Sequence, residues 1–472
     1  MRTKRSFGSS VFFERGEPET MYLVHQNQTG IQYLLDALAC SGGSRLPQNR
    51  VDFAICWSRS DSLQAENSRT HFWLNHPNAV REMNDAERVR SILQLNGIAT
   101  YLDHSRPTLV AKRKLSIAVC NLRPLAVFAG QRRVNRQVHN KACQLAVQSV
   151  QALQLDFALV HVVITNSGSP QVEQVDPTPN LSRPLARIFA MAMLQFAKYW
   201  RLSASASKER IVLGADVEFI LLTPQGKVSP ASLYLPRYGV VGYDALRLNR
   251  KQRLFPIVEL RPRPARTPEQ LFRHIVRTMQ VAARKINRQS LRWVAGAMPL
   301  RRFAIGGHLH ISNFWLNSVF LRALDRYLAL PLMMCESFSS VKRRLKYGRI
   351  SDFRRQFHGG FEYRSLPSWI VDPKLAQSVL ALFYTLAVSY RQLPLRSTIR
   401  LSDERLQRAF YTGDKSTLMT LVSSGWNELD ELSEYKNYRQ LIEPLRRQSL
   451  QMQEWAEDED VRKAWRITPF HR

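Results

Sequence analysis

Residues 211–223 read IVLGADVEFILLT. Side chains two apart share one face of a strand. Asp216 and Glu218 therefore lie on one side of this segment, and Val217 and Phe219 on the other. Three later segments repeat the pattern: LFPIVELRPRP (254–264) with Glu259 and Arg261, RFAIGGHLHISNF (302–314) with His308 and His310, and GGFEYRSLPSW (359–369) with Glu362 and Arg364. In each, the neighbours of the polar pair are apolar or aromatic. One face carries the core; the other carries carboxylates, imidazoles and guanidinium groups.

A single such pair reads equally well as the wet side of a half-exposed sheet. Four pairs with metal-compatible chemistry point further. Carboxylates crowded on one face repel, and desolvating them costs several kcal/mol. Bound Mg2+ removes that cost, because it takes oxygen ligands and bridges phosphates. Histidine is a less usual Mg2+ ligand, which leaves one of the two histidines to contact ATP. Gly306-Gly307 and Gly359-Gly360 beside these strands permit close backbone approach or form turns.

Further out, Thr267-Pro268-Glu269-Gln270 is a helix start, with a Thr N-cap, Pro in the first turn and Gln reaching back. That helix is expected to run to about Asn287, and from Lys374 the chain reads as mostly helical. Before residue 200, short apolar runs alternate with helical patterns. MYLVHQ and VDFAICW read as strands, AERVRSILQLNG as a helix stopped by Gly97, and VHNKACQLAVQSVQAL as another helix. LSIAVCNLRPLAVFAG and ALVHVVITNSGSPQVEQVDP read as strand pairs. A helix from Pro184 to Trp200 closes this region, and the small, polar LSASASKER after it reads as a linker. This mixture is α/β or α+β for the first part, and the fold class of the whole chain is α+β. The expected domains are 21–202 and 203–472, with 1–20 set aside as an N-terminal extension and Met1 and Met21 both open as the start.

At 472 residues and 44% hydrophobic, the chain is too apolar for disorder. Five cysteines with no CxxC argue against a disulfide framework or a thiolate zinc site and for a reduced, cytoplasmic setting. No apolar h-region follows the basic N-terminus, and the most apolar stretch, Ser378 to Tyr390, is too short to span a bilayer. There is no Walker A, HExxH or GxSxG motif, and no GxGxxG after a strand. The net charge of +30 admits a nucleic-acid partner or an enzyme of ATP and acidic substrates. Its distribution is uneven. Residues 251–364 hold 23 basic and 6 acidic residues, a net of +17, against 23 and 14, a net of +9, in residues 1–200. The excess thus sits among the polar strands, and the run VKRRLKYGR (341–349), Lys346 included, would suit an anion-guiding rim.

GADVEF, VGYD, VELRPRPARTPEQL, GGHLHI and HGGFEYRSLPSW, in this order over roughly 210–400, resemble the phage phiEco32-type COOH–NH2 ligases, members of the glutamine-synthetase-like carboxylate–amine ligases. The resemblance implies a curved antiparallel sheet with helices on its outer face. It implies ATP-dependent amide formation, with ATP and Mg2+, on an amino acid, peptide or related acidic substrate. Asp216, Glu218, Glu259, His308 and Glu362 would hold metal, and His310 would meet the ATP phosphates with Lys346 and Arg364. Arg364, Arg354 and Arg261 would face the transferring phosphoryl group or the substrate carboxylate. Asp244, in VGYD, would deprotonate or position the amine, or simply form a turn.

The first part resembles a different amide-forming fold. HNKACQLAVQSVQALQLDFALVHVVI and PQVEQVDPTPNL are similar to the C-terminal end of an ATP-grasp domain, and NHPNAVREMNDAERVRSILQLNGIAT to the segment entering it. His161 stands where the first metal Asp is expected. Gln174 and Asp176 replace the Glu and Asn of the second motif, and no glycine-rich loop follows Thr100. A degenerate ATP-grasp with weak or no ATP turnover is implied, used to bind an acceptor or partner or to shape the ligase mouth. Two other classes remain: a basic nucleic-acid-binding protein, for which no helix-turn-helix, RNP or zinc-finger signature is present, and a non-catalytic scaffold, against which the full polar set of the second part argues.

Overall fold

The computed structural model describes residues 20–47, 51–60, 72–101, 111–129, 134–204, 208–248, 253–300, 302–344, 346–394 and 398–467. The N-terminal extension before Thr20, the segment that follows Tyr101 and the centre of the expected linker lie outside these residues.

The first part contains two sheets. Strands β1 (Met21–His25), β2 (Ser41–Gly43), β3 (Phe53–Trp57) and β4 (Phe72–Leu74) are parallel, in the order β2-β1-β3-β4, with α1 (Ile31–Leu38) between the first two. Helices α2 (Pro77–Glu82) and α3 (Ala86–Leu95) follow. Asp85 caps α3 by accepting from the Arg88 amide at 3.0 Å, and Gly97 beyond it takes a positive φ of 69°. Strands β5 (Ala111–Cys120), β6 (Arg123–Ala129), β7 (Phe157–Thr165) and β8 (Pro170–Asp176) form an antiparallel sheet, order β6-β5-β7-β8. Helix α4 (Arg136–Ala152) covers it, burying Ala142, Ala146 and Val150, and α5 (Arg183–Ala204) closes the part.

The second part is built on one antiparallel sheet. Strands β9 (Val212–Leu222), β11 (Val241–Tyr243), β12 (Ile257–Leu260), β14 (Gly307–Ser312), β15 (Phe353–Arg355) and β16 (Phe361–Tyr363) take the order β11-β12-β9-β14-β16-β15; β10 (Val228–Ser229) and β13 (Arg292–Val294) pair with β9. Leu213, Val217, Phe219 and Leu221 of β9 are completely buried in the main core. Each such side chain contributes about 1.5–3 kcal/mol. Helices α6 (Pro268–Lys285) and α10 (Pro373–Ser389) pack into that core. Thr267 caps α6 by accepting from the Gln270 amide at 3.2 Å, as its sequence implies, and the helix stops two residues short of Asn287. The remaining helices are α7 (Ser318–Leu324), α8 (Leu330–Cys335), α9 (Val341–Arg344), α11 (Glu404–Thr412), α12 (Lys415–Asp430), α13 (Ser433–Leu450) and α14 (Val461–Ala464). A π-helical turn, Asp325–Ala329, joins α7 to α8. Among the described residues, no helix is long and apolar enough to cross a membrane.

One buried apolar cluster runs from Leu23 to Ile467 and includes residues of both parts. A buried polar joint accompanies it. Asp156 pairs with Arg322 at 2.8 Å and accepts from the Ser318 hydroxyl at 2.5 Å and the Asn75 amide at 2.8 Å.

The run VKRRLKYGR departs from its expected role as a rim. Arg343 and Arg344 are buried. Arg343 donates to the carbonyls of Ile305, Ser365 and Leu366, and Arg344 pairs with Glu336 at 2.6 Å. These arginines brace loops from within. Lys342 and Lys346 remain exposed.

Candidate active site

Strand register assembles the polar face. Glu259 stands opposite Glu218, His308 opposite Asp216, and Glu362 opposite both His310 and Arg354. Alternation along each strand sends the apolar partners into the core and brings these groups together on the other side.

At the centre, His308 Nδ1 lies 2.6 Å from Asp216 Oδ1 and 3.2 Å from Glu362 Oε1, and His310 Nε2 lies 3.3 Å from Asp216 Oδ2. One ligand atom from each of Asp216, His308 and Glu362 fits within 4.8 Å of the others, and all three residues are buried. Short separations do not satisfy these atoms. Asp216 Oδ1, Glu362 Oε1 and His310 Nε2 are buried without a hydrogen bond of acceptable geometry, and angle governs the strength of such bonds as much as distance does. An unsatisfied buried carboxylate oxygen is costly. Two carboxylates and an imidazole converging in this way fit a divalent cation, which would take the place of the proton His308 otherwise shares with them.

The rest of the set holds these groups in place. Glu362 Oε2 accepts from Arg354 Nε and Gln356 Nε2, both at 2.8 Å, which leaves Oε1 directed at the cluster. Arg364 lies 3.4 Å from Oε1 and donates to the Tyr347 hydroxyl at 2.6 Å. Tyr347 in turn hydrogen-bonds His308 Nε2. A proton on Nε2 leaves the Nδ1 lone pair facing the carboxylates, the tautomer a metal ligand needs. Gly306 allows this closeness, since a Cβ there would sit 2.5 Å from His308 Nε2.

Charge is strongly perturbed here. Burial alone would raise Asp216, but His308 and His310 hold it well below the carboxylate range. Glu218 is pushed up to about 8, first by burial and then by Asp244 and Asp216, against the pull of His308 and the Gly306 amide, which donates to it at 2.7 Å. Burial and Asp216 push Glu259 up to about 7 against the opposing Arg261. Burial would lower His308, yet Asp216, Glu218 and Glu362 carry it above its ordinary value. Such opposed shifts in one site are typical of functional clusters.

Of the residues expected from sequence, Asp216, His308 and Glu362 form the tight group, with His310 beside it. Glu218 and Glu259 form an adjacent carboxylate pair, opposite each other across two strands. Arg354 and Arg364 both reach Glu362, while Arg261 pairs with Glu259 at the sheet margin. Asp244 accepts from the Leu246 amide at 2.7 Å, closing a turn, and its charge also bears on Glu218 and Glu259. Lys346 is exposed; its neighbour Tyr347 is the residue that reaches the cluster. Sequence reading missed Tyr347 and Gln356. Neither lies on an alternating segment, so periodicity gives no signal for them.

The first part shows a different polar face. His161 stands opposite Gln174, and its Nδ1 lies 2.9 Å from the Ser116 hydroxyl. Asp176 pairs with Arg59 at 2.8 Å and accepts from the Thr178 amide at 3.0 Å.

A family model described as phage phiEco32-like COOH–NH2 ligase-type 2 matches residues 213–467, more than half of the chain. The chain belongs to that family. Membership places it among the COOH–NH2 ligases, and the matched segment contains every residue of the polar face. No curated protein matches the chain. Among solved structures, a bifunctional glutathione synthetase from Pasteurella multocida is 11% identical at a TM-score of 0.35, over 54% of this chain and 48% of that enzyme. This chain thus spans about half the length of that relative. The ATP-grasp ligase PsnB complexed with minimal precursor is 8% identical at a TM-score of 0.28, over 37% of this chain and 98% of that one. Macrocyclase MdnB from Microcystis aeruginosa is 13% identical at 0.26, over 36% and 96%.

Proposed function

We propose that this ligase joins a carboxylate to an amine through an acyl phosphate on the polar face of the large sheet, acting on an amino acid, peptide or related acidic substrate. The observation that carries this reading is the buried set Asp216, His308 and Glu362, whose unsatisfied oxygens converge. Asp216, His308 and Glu362 would hold Mg2+, with Glu218 and Glu259 beside them. Bound there, the cation would neutralise phosphate charge.

The chain's own groups supply the rest. Arg364 and Arg354, already directed at Glu362, offer donors to the transferring phosphoryl group and the substrate carboxylate. His310, the more open of the two histidines, contacts the phosphates of ATP. The substrate carboxylate attacks the γ-phosphorus and ADP leaves. The amine nitrogen then attacks the acyl carbon, phosphate departs with the C–O electron pair, and the amine proton passes toward Asp244. Residues 203–472 constitute the ligase domain in this reading, and 21–202 a degenerate ATP-grasp-like domain that shapes the acceptor side. The satisfied state of His161 and Asp176 supports that assignment. The five cysteines are free, which suits a reduced, cytoplasmic setting.

The test is ADP release from ATP across a panel of amino acids and short peptides, for wild type and for Glu218→Ala and Glu362→Ala. Acceptor-dependent release that both substitutions abolish supports the assignment; two variants that match wild type overturn it. Tight, steeply salt-dependent nucleic-acid binding untouched by both would replace it with a nucleic-acid reading.

A further inference from the structure

Away from the polar face, α2 of the first part meets α11 and α12 of the second around a cavity of about 590 Å3. Arg326 forms part of its wall. This arginine is 1% exposed and sits in the π-helical turn between α7 and α8; such turns are frequent at functional sites. Its Nη2 donates to the Ser424 hydroxyl at 2.9 Å, but Nε and Nη1 have no partner. Other buried arginines of the chain behave differently. Arg343, Arg344 and Arg462 are equally enclosed and spend their donors on carbonyls or carboxylates.

The surroundings are shaped for this guanidinium. Gly425, in the middle of α12, faces it, and a Cβ there would lie 2.6 Å from Arg326 Nη1. A mid-helix glycine is unfavourable relative to alanine, so the close approach comes at some cost to the helix. Arg400 and Arg405 line the same cavity and are exposed. Three carboxylates also line it, and one of them, Glu428, already acts on Arg326 through its charge. Glu82 pairs with Arg88, Asp403 accepts from the Arg405 amide at 2.9 Å, and Glu428 accepts from Tyr327. Burial lowers Arg326 from its ordinary basicity, and Tyr327 and Glu428 offset this only in part while Arg400 adds to it. A further anion beside Arg326 and Arg400 would relieve what Glu428 leaves uncompensated.

We propose that this cavity binds a small phosphate-bearing anion, held from the wall by Arg326 and at the mouth by Arg400 and Arg405. Three guanidinium groups around one cavity match a multiply charged phosphate better than a single carboxylate. The volume leaves room for more than the phosphate itself. Inorganic phosphate and the phosphate end of a nucleotide share this chemistry. The site does not depend on the reaction proposed above.

Calorimetric titration of the full chain with inorganic phosphate, ADP and acetate, without divalent metal, tests it. Wild type should bind phosphate or ADP saturably, and acetate at least about tenfold more weakly. Arg326→Met should raise the dissociation constant at least about tenfold, as should the double variant Arg400→Ala/Arg405→Ala. Glu362→Ala should leave it unchanged, because that residue belongs to the other site. Tighter ADP than phosphate binding identifies a nucleotide as the source; equal or weaker ADP binding identifies free phosphate. Arg326→Met removes a buried charge and should melt no lower than wild type in anion-free buffer. If it nevertheless misfolds, the double variant carries the test. Absence of saturable phosphate and ADP binding to wild type overturns the proposal. So do acetate binding as tight as phosphate, unchanged affinity in the folded variants, and loss of binding in Glu362→Ala.

Discussion

The molecule presents two polar sheet faces, one on β7 and β8 and one on β9, β12, β14 and β16. On the first, His161 contacts Ser116, and Asp176 is held by Arg59 and Thr178. On the second, Asp216, Glu362 and His310 keep buried atoms that have charged neighbours but no well-formed hydrogen bond. Both faces carry imidazole and carboxylate at neighbouring register positions, so residue type alone does not separate them. Satisfaction does. A polar face closed on itself stabilises a fold, whereas one left open at a cost in desolvation is arranged for something that arrives from outside.

Breaking the open face should have the largest effect. Glu362→Ala removes a converging oxygen and the anchor of both Arg354 and Arg364, and should lower acceptor-dependent ATP turnover by about 10²-fold or more, measured as ADP release. Next comes the joint between the parts. Asp156→Asn leaves Arg322 buried without its counter-charge and should cost about 3–5 kcal/mol, read from denaturant unfolding. Tyr347→Phe deletes the hydroxyl linking His308 to Arg364. A loss of about tenfold in turnover is expected, together with weaker Mg2+ affinity by titration.

A smaller effect concerns pH. Glu218 sits near 8 in the fold, against an ordinary value of 4.5, because burial and neighbouring carboxylates disfavour its charge. The folded chain therefore holds a proton that the unfolded chain releases, and stability declines as pH rises from about 4.5 toward 8. Without metal, the melting temperature should fall across that window by ~2 °C or more. Glu218→Gln should flatten the slope, and Mg2+ should raise melting more at pH 8 than at pH 6. The smallest effect is expected on the closed face. Asp176→Asn should change turnover by less than about twofold, since Asp176 serves a local ion pair at a half-exposed site. A large loss there would erase the distinction between the two faces.

The alternation of β9, β12, β14 and β16 was legible because period two is a local property, and the Thr267 cap was legible for the same reason. Which carboxylate faces which was not, since register is set by pairing between strands far apart in sequence: Asp216 of β9 and Glu362 of β16 meet only through β14, which pairs with both. The run VKRRLKYGR misled because a string of cations shows nothing of the carbonyls that will surround it. Arg343 is absorbed by loops at Ile305, Ser365 and Leu366, and Tyr347, in the same run, is the member that reaches the site. The apparent break near residue 205 was visible in composition, but the shared core across it was not. Its partners, Asp156 and Arg322, lie 166 residues apart.

That last pair bears on how such a chain can be cut. A fragment beginning near residue 203 would carry Arg322 with its counter-ion removed and would bare the apolar surface that α5 covers. The ligase half is therefore not a cassette. Any transplant, truncation or fusion that uses it must carry Asp156 and the strands around it, and descendants of this chain are expected to inherit both halves or neither.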